Sequence, residues 1–207
     1  MKAIKWMLCI LAVALTGCVT APAKKDLSAF HTAAPRSILV VPAVNKSLDV
    51  DAPNYLLSTL TLPLAEKGFY IFPVNTAKFV LEQEGLYEGE QIHHQPPETL
   101  AQLFGADAVL YVTINRWDAQ SLVLAATVHV DFDYRTDGKE GTELWSATQR
   151  MQYSPGNNGG GLVGALVSAA LARMAPNYLP LTQQANQQVF VLGPNAIPDG
   201  PYRPVKK

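Results

Sequence analysis

The chain has 207 residues, with 16 Lys and Arg against 17 Asp and Glu and a formal net charge of −1. Hydrophobic residues make up 48% and charged residues 16%, which is ample for a folded core and gives no basic surface for nucleic acid. Its two cysteines, Cys9 and Cys18, both fall near the amino terminus, so the rest of the chain has no thiol nucleophile, disulfide or cysteine-ligated metal.

Lys2 and Lys5 form a basic opening, and Trp6 to Leu15 is apolar without a charge. Leu15-Thr16-Gly17-Cys18 follows, small residues running into a cysteine, as at a secretory cleavage point. All four positions resemble the lipobox of bacterial lipoproteins. The resemblance implies lipidation of Cys18 through a thioether, cleavage between Gly17 and Cys18, and acylation (palmitate-type) of the new amino terminus. An uncleaved transmembrane helix is the competing reading, but a span needs about 20 apolar residues. A soluble exported protein with an incidental cysteine is the other. Each buried methylene contributes about 0.8 kcal/mol, so a multiply acylated cysteine anchors stably. Residue 19 is Val rather than Asp, which by resemblance to the enteric sorting rule implies the outer membrane, with the periplasmic side expected over the cell surface.

Removal of residues 1–17, with their two lysines, leaves 190 residues carrying 14 basic and 17 acidic side chains. The expected organisation is a signal peptide over 1–17, lipidated Cys18 and a flexible tether over 18–35, one domain over 36–192, and a Pro-rich tail over 193–207.

Ser37 to Val44 is a β-branched run expected as a strand buried on both faces, ending near Pro42. Leu56, Leu60 and Leu64 at helical spacing predict a helix from Pro53 to Lys67, kinked or divided at Pro63 and stopped by Gly68. Phe69 to Phe72 is a short strand, so the opening reads as strand–helix–strand with a parallel pair. Asn75 is the expected cap of a helix over Ala77 to Glu84, ended by Gly85. Residues 86–95 read as a polar loop. Pro96-Pro97-Glu98 starts a helix that turns Leu100, Leu103 and Phe104 inward and stops at Gly105.

Three strands follow. Ala108 to Trp117 is apolar on both faces. Leu122 to Tyr134 alternates, with Val128, Val130 and Phe132 on one face and His129, Asp131 and Asp133 on the other. Asp137-Gly138 marks a turn into Glu143 to Tyr153. Ser154 to Gly161 is a Gly-rich loop, Leu162 to Ala175 a small-residue helix, and a last helix lies near Leu179 to Phe190. Four prolines from residue 194 predict an extended or disordered tail. The fold class is therefore α/β (α+β): a mixed sheet with a strand–helix–strand opening, three later, largely antiparallel strands, and C-terminal helices.

Candidate sites are few. His129, Asp131 and Asp133 stand about 6.5–7 Å apart along one strand face and form a weak candidate metal set. The ordinary alternative is a solvated sheet face. His93-His94 is a weaker pair in the predicted loop. The Gly-rich loop before residue 162 lacks the Lys-Ser/Thr ending of a phosphate-binding loop. Gly160, Gly164, Ser168 and Ala172 form a small-residue stripe suited to close helix packing or, in a less favoured reading, to membrane contact. No catalytic motif and no cofactor motif is present.

Three segments together point to a family: Ile38-Leu39-Val40-Val41-Pro42-Ala43-Val44-Asn45-Lys46-Ser47, Pro63 to Val74, and Phe104-Gly105-Ala106-Asp107-Ala108-Val109-Leu110-Tyr111. They resemble a Gram-negative outer-membrane lipoprotein family of unknown function, of the neisserial vaccine-antigen type, over about residues 36–190. The resemblance implies a fold similar to the N-terminal domain of the Tol-Pal periplasmic protein and related to the curli secretion lipoprotein. It carries no catalytic residue. The expected function is contact with other envelope proteins, or self-association, in assembly, transport or secretion. The alternative is binding of a small envelope ligand such as a peptidoglycan fragment. The expected partners are thus the membrane, through Cys18, and envelope proteins, with no nucleic acid and no cofactor.

Overall fold

A computed structural model describes residues 25–122, 125–153 and 178–203. Its sheet is built from β1 (Ser37–Val40), β2 (Val44–Asn45), β3 (Tyr70–Ile71), β4 (Ala108–Leu122), β5 (Ala125–Gly138) and β6 (Glu143–Tyr153), in the order β3-β1-β4-β5-β6, with β2 beside β4. β1 is parallel to β3 and β4, and β2 is parallel to β4. β4, β5 and β6 are antiparallel. The protein is a mixed α+β fold, with the expected parallel opening and antiparallel later strands.

The expected single strand over residues 37–44 is two strands, β1 and β2, in line along β4 and separated at Val41-Pro42-Ala43. Pro42 has no N–H to give to the ladder, which is why the pairing is interrupted there. Ile38, Leu39, Val40 and Val41 are all fully buried, as a strand covered on both faces requires.

Helices cover the two faces unequally. On the inner face lie α1 (Ser28–Ala33), α2 (Ala52–Glu66), α6 (Leu179–Gln187) and a π-helical turn, Gln188–Leu192. Their apolar residues join Ile38, Leu110, Val130, Phe132 and Trp145 in the larger core. On the outer face, α3 (Val74–Gln83) packs on β1, α4 (Gly89–His93) on β2, and α5 (Pro97–Phe104) on β4 and β5, around Leu39, Val109 and Tyr111. Among the described residues that second core draws no residue from β5 or β6, although α5 touches β5. Among the described residues the sheet is therefore covered on both faces at the β1 side and open on its outer face toward β6.

Three helices stop by the same device. Gly68, Gly85 and Gly105 have φ of 88°, 78° and 66°. After α2 the Phe69 N–H donates to Leu64 O and the Gly68 N–H to Ala65 O. The equivalent bonds follow α3 and α5. These Schellman ends satisfy the last carbonyls and turn the chain back toward the sheet.

A bulge in β4 keeps its apolar side facing the core. The register shifts between Ile114 and Arg116, leaving Asn115 as the extra residue. Ile114 and Trp117, three residues apart, consequently reach the same inner core. Without the extra residue, Trp117 would alternate onto the outer face.

Several local expectations are corrected. α2 runs unbroken from Ala52 to Glu66 with Pro63 buried inside it, and is not divided in two. α3 begins three residues earlier than expected, with Pro73 rather than Asn75 at its N-cap. Residues 86–95 contain α4, which a reciprocal capping box between Glu88 and Gln91 nucleates. Leu103 is exposed, and Ala101 takes the inward position beside Leu100. β4 and β5 reach Leu122 and Ala125 and pair throughout, beyond the last β5–β6 pair at Val128 and Tyr153.

Both flanking segments are also corrected. Of the expected tether, Lys25 to Pro35 is packed: α1 buries Phe30, which meets Phe69 edge-on at 6.1 Å. Of the Pro-rich tail, residues 193–203 have no helix or strand but are fixed to the domain. Ile197 is fully buried, Lys67 pairs with Asp199, and the Gly200 and Tyr202 N–H groups donate to Lys67 O and Gly68 O. Prolines restrict the unfolded chain, which lowers the entropy cost of fixing such a segment. Lys25 lies by Ser146 and Glu143 at the start of β6, and Arg203 lies by Gly68. Both described chain ends therefore share the pole where β1 and β4 begin, opposite the end where β4 and β5 meet.

Candidate functional site

Where the helix-covered part of β4 gives way to β5 and β6, the outer face forms a grid of side chains. Tyr111, Arg135 and Ser146 stand opposite one another across the three strands, and Thr113, Asp133 and Thr148 form the next row. Strands about 4.8 Å apart make this floor about 10 Å wide. Lys25 flanks it beside β6 and His93 beside β4, and the resulting cleft has a volume of about 520 Å³. That size lies within the range of small-molecule sites.

Its walls have defined electrostatics. Lys25 Nζ donates to Ser146 O at 2.6 Å and to Ser146 Oγ, with Glu143 at 3.9 Å. Arg135 Nε pairs with Asp137 Oδ2 at 3.1 Å, and its guanidinium carbon lies 4.9 Å from the Tyr111 ring centre. Burial raises the pKa of Asp137 above the usual carboxylate value; Glu143 and Glu98 add to this and Arg135 opposes it. Burial likewise raises Tyr111, whose hydroxyl has no hydrogen-bond partner among the described residues although the residue is only 3% exposed.

His93 is held rather than poised. Burial pushes its pKa down to about 4, against the raising effect of the Pro42 carbonyl, with Arg135 and His94 lowering it further. Its Nε2 lies 3.1 Å from Pro42 O. A carbonyl only accepts, so Nε2 carries the proton of the neutral ring. The ring also meets Tyr111 edge-on at 5.0 Å. His94 points elsewhere, its exposed Nδ1 2.6 Å from Glu90 O. The two adjacent histidines thus use their rings separately, to fix α4.

The other sequence-derived set is not brought together either. His129 lies opposite Asp118 and Gln152. Asp131 Oδ2 accepts from Arg150 Nε at 2.9 Å. Asp133 accepts from Asn115 Nδ2 and Thr148 Oγ1, both at 2.6 Å. Burial alone would raise Asp133, but those two hydrogen bonds, with Lys46 and Arg150, bring it below its ordinary value. Among the described residues, no three His, Cys, Asp or Glu side chains are grouped to hold a metal ion.

Gly17 and Cys18, the Gly-rich loop and the small-residue stripe lie outside the described residues. No helix among the described residues is long and apolar enough to cross a membrane. Of the cleft, sequence reasoning singled out Asp133 and His93. It missed Lys25, Tyr111 and Arg135, whose meeting depends on strand register.

The fold and its bare polar face thus define an α+β domain without a recognisable catalytic or metal centre among the described residues. Residues 25–195 match the family described as "Putative lipoprotein GNA1162-like", and the chain belongs to that family. It is 37% identical over 165 residues to the "Putative lipoprotein NMB1124/NMB1162" of Neisseria meningitidis serogroup B, covering 79% of this chain and 77% of that one. The crystal structure of lipoprotein GNA1162 from Neisseria meningitidis is similar with a TM-score of 0.57 at 36% identity, over 69% of this chain and all of that one. The family's description names no enzymatic activity.

Proposed function

We propose that this lipoprotein is cleaved after Gly17, lipidated at Cys18 and held on the periplasmic side of the outer membrane. There it acts through contacts with other envelope proteins in assembly, transport or secretion, without catalysis. The lipobox resemblance and the family support the anchor. The observation that carries the contact reading is the outer face of β5 and β6, largely uncovered among the described residues, beside a β4–β5 pairing that continues past the last described β5–β6 pair. Large bare sheet faces and strand edges are surfaces that proteins pair through. A likeness to the N-terminal domain of the Tol-Pal periplasmic protein belongs to the same proposal.

The test is photo-crosslinking in living cells at native expression. Crosslinkers at Thr148 and Arg150 on the bare face are compared with one at exposed Leu62 on α2. Discrete adducts from the bare face alone are expected, lost when Thr148 and Gln152 become Glu. Equal patterns from both faces, or none from the bare face, would reject the reading.

A second reading is favoured by the cleft itself: a binding protein for a small envelope ligand such as a peptidoglycan fragment. Its volume and its mixture of hydroxyls, cations and an aromatic ring suit such a molecule.

A further inference from the structure

Arg135 differs from the other arginines of the domain in how it is fixed. Asp137 takes its Nε–H from one side, and the Tyr111 ring lies against its guanidinium from another. Its side chain remains 48% exposed and lines the cleft. The terminal amino groups have no partner among the described residues. A guanidinium whose plane and azimuth are set by the protein, with its outer edge free, is a preorganised fork for a planar oxyanion. Stacking on an aromatic face also strengthens the cation's hold without using that edge.

The surroundings choose among oxyanions. Asp133 lies next to Arg135 on the same face, Asp137 on its other side, and Glu143 by the Lys25 wall. Arg135 and Lys25, with Lys46 and Arg150 near Asp133, are thus offset by these carboxylates, and a site with little net positive charge suits a monoanion better than a phosphate dianion. Thr113 beside the fork has a hydroxyl without a partner among the described residues, and the unpartnered Tyr111 hydroxyl is buried at the floor. A ligand with polar groups beyond its acid would be met on that side.

We propose that Arg135 anchors a carboxylate-binding site. It takes a small polar molecule ending in a single carboxylate, whether the free C-terminus of a short peptide or an acid-bearing amino sugar. The proposal rests on the small-ligand reading and makes it specific. Tyr111 and Asp137 position the fork, and Thr113 meets the body of the ligand.

The experiment uses the full-length lipidated protein in detergent, titrated by calorimetry with four probes: acetyl-alanyl-alanine, its C-terminal amide, N-acetylmuramic acid and inorganic phosphate. At least one of the two acids is expected to bind with a millimolar or tighter constant, and which one tells peptide from sugar. The amide is expected to bind about tenfold more weakly than its acid, the cost of losing about 1.4 kcal/mol. Arg135→Gln should weaken the acid at least about tenfold. Because that change leaves Asp137 without its cation, Arg135→Lys is the second variant. It keeps a charge there, should unfold at the wild-type temperature, and should still lose the bidentate contact and most of the affinity. The proposal is overturned if the amide binds as well as the acid, if Arg135→Lys binds like wild type, if phosphate outcompetes both acids, or if neither acid binds by about 10 mM. None of these outcomes alters the crosslinks from Thr148 and Arg150, so failure here is separable from failure of the contact reading.

Discussion

Tyr134 Oη donates a 2.7 Å hydrogen bond to Asn186 Oδ1, tying the middle of β5 to α6 inside the core. Asn186 Nδ2 in turn donates to Thr59 Oγ1 at 2.8 Å, and Thr59 donates to Leu56 O at 2.7 Å. Tyr134 and Asn186 are buried, and Thr59 is nearly so. The chain of bonds therefore joins sheet, last helix and first long helix without water.

Removing one partner should cost more than removing both. Tyr134→Phe leaves a buried amide oxygen unpaired, at about 1–3 kcal/mol. Asn186→Leu strands the tyrosine hydroxyl at a similar cost, while Thr59 keeps its bond to Leu56 O. The double variant is expected to lose less than the sum of the singles. Urea unfolding of the three proteins measures this; strict additivity would mean that the two residues do not act as a pair.

Two glycines give a contrast of mechanism. Gly85 has φ of 78° with open space around its missing side chain, so Gly85→Ala should cost only the left-handed strain, about 1 kcal/mol. Gly68 has φ of 88°, and a Cβ there would overlap the backbone of Arg203. Gly68→Ala should cost clearly more and should also release the tail to proteases at Asp199–Arg203. Equal stability losses, with the tail still protected, would contradict the clamp.

His93 supplies a pH dependence whose sign follows from its burial. Its ordinary value is 6.5 and in the folded protein it falls to about 4. Between these values the unfolded chain binds a proton that the folded chain does not. Stability is therefore fullest above pH 6.5 and falls as the pH drops toward 4. The loss between pH 7 and pH 5 is about 2 kcal/mol from this group. Unfolding of His93→Asn at the two pH values should show a smaller drop than wild type by that amount; parallel drops would remove His93 as the cause.

The anchor is tested at its one essential atom. Cys18→Ser should abolish acylation, and either block processing or release the domain from membranes. Detergent phase partitioning follows this directly, and a variant that partitions like wild type would reject lipidation at Cys18.

Periodicity made much of the fold readable in advance. β5 was legible because its alternation separates Val128, Val130 and Phe132 from His129, Asp131 and Asp133, and Gly68, Gly85 and Gly105 announced three helix ends. α4 was not, because five residues hold too little pattern and its stability comes from Glu88 and Gln91 capping each other. The packed tail was missed for a different reason. Its partners, Lys67 and Gly68, lie over 130 positions away, and composition alone marks only its prolines. The cleft was the least legible part, because it is written in register. Tyr111, Arg135 and Ser146 share no motif, and they meet only once three strands are aligned.

The shared pole of the two chain ends sets a scale for reach. From residue 18 to Lys25 the backbone can extend about 25 Å at most. The 15 residues of β4 then carry the chain about 50 Å further, to the end where it meets β5. A lipid at Cys18 would thus hold a short leash fixed to the base of a long lever. The far end of β4 would then reach about 75 Å from the bilayer, between two and three hydrocarbon-core thicknesses, while a label fused after the tail would stay close to the root.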